Sequence, residues 1–182
     1  MPKAIEPGLV IFDMDGTLIT ERFIFQLARR FGFEDRLQAI MARHAPEYEK
    51  TRDVAALLKG ISAEEITDTF DRIPLSPGAE ATVAALKKDG HILAIISDSY
   101  TIANELVIKK GKATGEVKMP LNWPQSRQGC LKHAICKLNA MFDLSKETGI
   151  PLERIVAVGD NIADSCMLEQ ASLGIAFNPK AP

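Results

Sequence analysis

Acidic and hydroxyl residues stand where short apolar runs stop: Asp13-Met14-Asp15-Gly16 follows residues 9–12, Ser97-Asp98-Ser99 follows 92–96, and Gly159-Asp160 follows 155–158. Aspartates gathered at one edge repel one another unless a cation joins them. An all-oxygen set suits a hard ion such as Mg2+ far better than zinc. Such an ion also shields a carboxylate from an incoming phosphate dianion, which makes Asp13 a candidate nucleophile able to form an acyl-phosphate. Asp15, two residues on, can protonate a leaving oxygen and later take a proton from water. Phosphoryl oxygens then call for a hydroxyl and a cation to stabilise their charge. Ser97 and Lys132 are available, with Lys137 as the competing lysine.

These residues have to be positioned by regular elements. The runs at 9–12, 92–96, 155–158 and 174–177 are brief, branched and apolar, and each is bounded by turn residues, as buried strands are. Between them lie segments of helical spacing. Val83, Ala84 and Leu86 mark one helix; another begins near Leu131 with Leu131, Ala134, Ile135, Leu138 and Phe142 as its core face; a third spans 165–171. Strands alternating with helices predict an α/β fold, a Rossmann-like open and mostly parallel sheet with helices on both faces. In such sheets the ligand site lies outside the carboxyl ends of the strands, where the polar residues above fall. From Glu21 to about Arg72 the pattern is helical only, with Phe23, Leu27 and Phe31, then Leu37, Ile40 and Met41, then Ile66 and Phe70 after a Ser62 cap with Glu65 three residues on. This segment reads as a small helical insertion after the first strand, so the expected division is an α/β core at 1–20 and 73–182 and the insertion at 21–72. A hairpin is expected at 105–118, turning near Gly111-Lys112.

At 182 residues and 46% hydrophobic, the chain can bury a sizeable core, and 22 basic against 24 acidic residues lack the excess that marks nucleic-acid or anionic-membrane partners. Cys130, Cys136 and Cys166 show neither a C-x-x-C pair nor zinc-like spacing. No stretch approaches the ~18 apolar residues of a membrane span, and no signal-peptide pattern opens the chain. A reducing, cytoplasmic setting fits, with a small-molecule substrate as partner. His44, His91 and His133 have no Ser or Cys constellation around them and read as structural or surface residues.

Asp13-Met14-Asp15-Gly16-Thr17-Leu18, a strand ending at Ser97, a lysine at Lys132, and Gly159-Asp160-Asn161-Ile162-Ala163-Asp164 together resemble the four motifs of the haloacid dehalogenase-like phosphatases, a resemblance that makes 21–72 the small helical cap of a hydrolase core. Within that superfamily the chain most resembles the phosphoserine phosphatase group, through 57–60 (Leu-Leu-Lys-Gly), 72–78 (Arg-Ile-Pro-Leu-Ser-Pro-Gly), 111–117 and 174–177. The resemblance implies a Mg2+-dependent phosphomonoester hydrolase. Asp13 is then nucleophile and metal ligand, and Asp15 general acid and base with its backbone carbonyl on the metal. Asp160 is the remaining ligand, Ser97 and Lys132 hold phosphoryl oxygens, and Asp164 holds Lys132.

The sequence departs from that pattern in places. Arg22, with Glu21 adjacent, stands where the phosphoserine enzymes have a glutamate for the substrate ammonium, whereas Arg52 matches their carboxylate-binding arginine. Asp98 follows Ser97 where glycine is usual, and Ala163 replaces an asparagine; the Ser-Asp pair resembles the phosphoethanolamine and phosphocholine phosphatases. Arg52, Arg22, Glu21 and Asp98 are therefore the candidate substrate-binding residues. Only eight residues separate Ser97 from Leu106, near the start of the hairpin, where the family has a helix and a strand; either these are lost or a segment is absent from the chain as given. The carboxyl end also comes earlier than the family leads one to expect. Phosphotransfer to an acceptor alcohol and a non-catalytic binding protein on the same fold are the rival readings.

Overall fold

The computed structural model describes residues 6–99, 105–118 and 137–179. Lys132 and the expected helix start near Leu131 lie outside them, as do Cys130, Cys136 and His133.

Four strands, β1 (Leu9–Phe12), β2 (Ile92–Ile95), β5 (Ile155–Gly159) and β6 (Leu173–Ala176), form one sheet in the order β2-β1-β5-β6. All its pairings are parallel: Leu9 lies opposite Ile92 and Ile155, Phe12 opposite Ile95 and Val158, and Val156 opposite Leu173. The α/β fold expected from the sequence is the fold found. All four β1 residues are buried, as an uninterrupted apolar run requires when both sheet faces are covered. Edge strands β2 and β6 are more open, with Ile92 and Leu173 exposed. Because β1 is flanked on both sides, the residue that leaves its carboxyl end emerges between two neighbours rather than at an edge. The last strand starts at Leu173 and ends at Ala176, one residue earlier than its apolar pattern indicates.

The chain divides into two compact units, one of residues 1–20, 75–97 and 137–182, the other of 21–74 and 98–136. The first holds the sheet with helices α5 (Ala79–Lys88), α6 (Lys137–Thr148) and α7 (Ser165–Gln170). In α6 the buried residues are Lys137, Asn139, Ala140 and Met141, while Leu138 and Phe142 are half-buried. The helix is thus turned relative to the face its apolar spacing suggests, and that rotation carries the Lys137 ammonium inward.

The second unit contains α1 (Phe23–Phe31), α2 (Glu34–Met41), α3 (Glu47–Leu57) and α4 (Ala63–Asp71), with the hairpin β3 (Glu105–Lys109) and β4 (Lys112–Lys118). The rings of Phe23 and Phe70 meet edge to face at 5.3 Å between α1 and α4. Ser62 and Glu65 form the expected capping box: the Glu65 amide donates to Ser62 Oγ and the Ser62 amide to Glu65 Oε2, both at 3.1 Å.

The hairpin groups with these helices and not with the sheet unit to which the sequence reading assigned it. Backbone bonds join it to the α3–α4 connection: the Gly60 amide donates to the Ala113 carbonyl, the Ala113 amide to the Ile61 carbonyl, and the Ala63 amide to the Gly111 carbonyl. Gly115, at φ +85°, lets β4 approach α3, since a Cβ there would lie 3.2 Å from Ala56 Cα. The turn sits at Lys110-Gly111, both with positive φ, one residue before the expected position. Among the described residues no helix is long and apolar enough to cross a membrane.

Candidate active site

Asp13 is placed by the sheet. Its amide donates to the Val158 carbonyl at 2.8 Å, extending the β1–β5 ladder by one residue and fixing where the side chain departs. The following turn is tight. The amides of Leu18 and Ile19 converge on the Met14 carbonyl at 3.0 and 3.1 Å, and Gly16 at φ +87° supplies the left-handed residue that this reversal needs. Asp15, within the turn, is half-buried. Thr17 is turned back so that its hydroxyl donates to Asp13 Oδ2 at 3.4 Å.

The Lys137 ammonium donates to Asp13 Oδ1 at 2.5 Å and to Asp164 Oδ1 at 2.6 Å, with the lysine 3% exposed. Asp164, fully buried, also accepts the amides of Asp160 and Asn161 on Oδ2 at 3.1 and 3.0 Å. It therefore ties the lysine to the loop that follows β5. That seat exists because residue 159 is glycine: a Cβ there would fall 2.5 Å from Asp164 Cγ. Ser97, at the end of the segment leaving β2, and Asp160 are both buried.

Carboxylate oxygens of Asp13, Asp160 and Asp164 lie within 4.8 Å of one another, all three residues buried. Among the described residues Lys137 contacts two of them, and the formal charge of these four groups is minus two. Buried charge of one sign is costly unless paired or bound to a metal. An oxygen-only, doubly negative, dry cluster fits a hard divalent cation such as Mg2+. Of the three acids, Asp164 bonds the lysine and two backbone amides, and Asp13 bonds the lysine and the Thr17 hydroxyl. Asp13 and Asp160 are the expected side-chain ligands, and Asp15 the expected ligand through its carbonyl.

The structure brings Asp13, Asp160 and Asp164 together as the motifs implied, but the lysine it seats among them is Lys137. Lys132, first choice from the sequence, lies outside the described residues. Lys137 shares a buried face with Ala140 and Met141. Thr17 was read only as part of the first motif; its proximity to Asp13 follows from the four-residue turn. In the second unit Arg22 is half-buried just before α1, Arg52 is exposed on α3, and Asp98 is exposed. The Glu21 carboxylate is taken by Gln26 and, at 3.0 Å, by Arg29.

The model of the haloacid dehalogenase-like hydrolases matches residues 10–169. The phosphoserine phosphatase of Methanocaldococcus jannaschii is 32% identical over 192 residues, covering 94% of this chain and 86% of that protein. The phosphoserine phosphatase of Archaeoglobus fulgidus is also 32% identical, over 96% of this chain, but the chain spans only 54% of its length. Among solved structures, a phospho-aspartyl intermediate analogue of phosphoserine phosphatase superposes with TM-score 0.79 at 29% identity, covering 97% of this chain and 88% of that one. A substrate-bound phosphoserine phosphatase complex superposes with TM-score 0.81 at 28% identity, covering 97% and 89%. With the family model matching residues 10–169 and a relative 32% identical over nearly the whole chain, this chain belongs to the haloacid dehalogenase-like hydrolase family.

Proposed function

We propose that the chain is a phosphatase that hydrolyses a small phosphomonoester, phosphoserine first in line, through an aspartyl-phosphate on Asp13. The observation that carries this reading is the buried Asp13–Lys137–Asp164 contact beside Asp160 at the carboxyl ends of β1 and β5. The 32% identity to the M. jannaschii phosphoserine phosphatase supports the choice of substrate.

In the first half-reaction an oxygen of Asp13 attacks phosphorus while the ester P–O bond breaks, and the Asp15 carboxyl gives its proton to the departing alkoxide. In the second, the Asp15 carboxylate takes a proton from water, which attacks the acyl-phosphate and releases inorganic phosphate and the Asp13 carboxylate. Lys137 and Ser97 hold phosphoryl oxygens in both steps. Asp164 keeps Lys137 in place; it is a positioning residue. Mg2+, held by Asp13, Asp160 and the Asp15 carbonyl, would supply positive charge against the transferring phosphoryl group. Arg52, Arg22, Glu21 and Asp98 are proposed to choose among substrates.

Phosphate release from phosphoserine, phosphoethanolamine, phosphocholine and an aryl phosphate, with Mg2+ or EDTA, tests the proposal. Turnover that needs Mg2+ and disappears in Asp13→Asn is expected. A faster reaction of phosphoethanolamine or phosphocholine would reassign the substrate. Transfer to an added alcohol in place of water would make the enzyme a phosphotransferase. Absence of turnover on the whole panel would favour a non-catalytic binding protein.

A further inference from the structure

The helical unit contains a cleft of about 390 Å³ between α1 and α4, and its lining shares no residue with the aspartate–lysine cluster. Three guanidiniums, those of Arg29, Arg30 and Arg72, line it, against a single lining carboxylate, that of Glu21. The neighbouring Asp68 serves two of the three: Arg30 Nη1 reaches Asp68 Oδ2 at 2.6 Å, and Arg72 holds Asp68 Oδ1 through Nη2 at 3.0 Å and Nε at 3.1 Å. Arg29 is shared between Glu21 at 3.0 Å and Glu34 at 3.8 Å. Nη2 of Arg29, Nη2 of Arg30 and Nη1 of Arg72 take part in none of these contacts. The Thr69 hydroxyl, which accepts from Arg30 at 2.9 Å, adds another polar group to the wall.

We propose that this cleft binds a small multivalent oxyanion, a phosphate monoester or a polycarboxylate. The ligand would complete the half-neutralised Arg30–Arg72 pair and take Arg29 from Glu21. Guanidinium suits the task because its planar fork meets carboxylate or phosphate through two parallel bonds. The cleft is open enough to water that binding is weak and falls with salt.

Inorganic phosphate and citrate, titrated at constant ionic strength into the full chain without Mg2+, provide the probes, with the arginine Nε–H resonances of Arg29, Arg30 and Arg72 as the readout. These signals are local to the cleft, so phosphate bound at Lys137 does not imitate the effect. Saturable shifts are expected, with affinity falling about tenfold in Arg72→Gln and less in Arg72→Lys, which keeps charge but loses the fork. Tighter phosphate would identify a phosphate-ester site and tighter citrate a polycarboxylate site. Resonances that stay still while the rest of the protein responds, or equal affinity in wild type and Arg72→Gln, would overturn the proposal.

Discussion

Lys137 and Asp68 have the same local geometry with the signs exchanged, each lying between two partners of opposite charge. Lys137 is clasped by Asp13 and Asp164 with its side chain 3% exposed, whereas Asp68 is clasped by Arg30 and Arg72 with its side chain 40% exposed. In the first case water is excluded, so each contact is strong and the loss of one member strands a buried charge. In the second, solvent and salt screen the attraction, and the groups remain available to other partners. The sheet unit fixes its charged groups with strand ends and backbone amides. The helical unit carries its charged groups on solvated helix surfaces.

That contrast orders the expected effects of substitution. Lys137→Ala should lower kcat roughly 100- to 1,000-fold, the scale for losing one donor to transition-state oxygens. It should also cost about 3–5 kcal/mol in urea unfolding, because Asp13 and Asp164 are left facing one another. Lys132→Ala should change neither kcat nor stability appreciably; if instead Lys132→Ala were the damaging variant, Lys137 would be a structural counter-ion only. Gly159→Ala comes next. The added Cβ collides with Asp164, and a loss of about 1–3 kcal/mol is expected in thermal unfolding, together with reduced activity as the carboxylate shifts. Ser62→Ala, in the helical unit, removes only a cap and should cost about 1 kcal/mol by the same measurement with the aryl phosphate activity unchanged.

The smallest effect concerns pH. Bidentate bonding from Arg72, with Arg30 beside it, holds the Asp68 carboxyl below its ordinary 3.8. A carboxyl whose folded value is depressed contributes stability present above its unfolded value, lost as pH falls through the folded one. Wild-type stability should therefore decline slightly below about pH 3.8 in a manner that Asp68→Asn abolishes. Identical acid profiles for the two proteins would show that the pair is energetically silent, as exposed pairs often are.

The comparison also explains what the sequence could reveal. β1 and the Asp13 turn were legible because an unbroken apolar run ending in a glycine-bearing acidic turn has few other foldings, and the Ser62–Glu65 box because its chemistry is local. Lys137 was less legible. Two lysines five residues apart on one predicted helix differ by roughly 140° in facing and about 7.5 Å along the axis, and apolar spacing singles out neither; in the structure Lys137 shares its buried face with Ala140 and Met141. The hairpin's membership was likewise hidden, since it depends on backbone hydrogen bonds between 60–63 and 111–113, some fifty residues apart in the chain. Glu21 is a candidate substrate-binding residue by sequence; that its carboxylate meets Gln26 and Arg29 is something helix spacing alone does not single out.

The most direct test of the account is to quench the enzyme in acid during turnover of the aryl phosphate and map the phosphoryl group by peptide mass spectrometry. The account predicts it on Asp13, absent in Asp13→Asn and in the substrate-free protein. A phosphoryl group on Asp15 or Ser97, or undiminished turnover by Asp13→Asn, would contradict it.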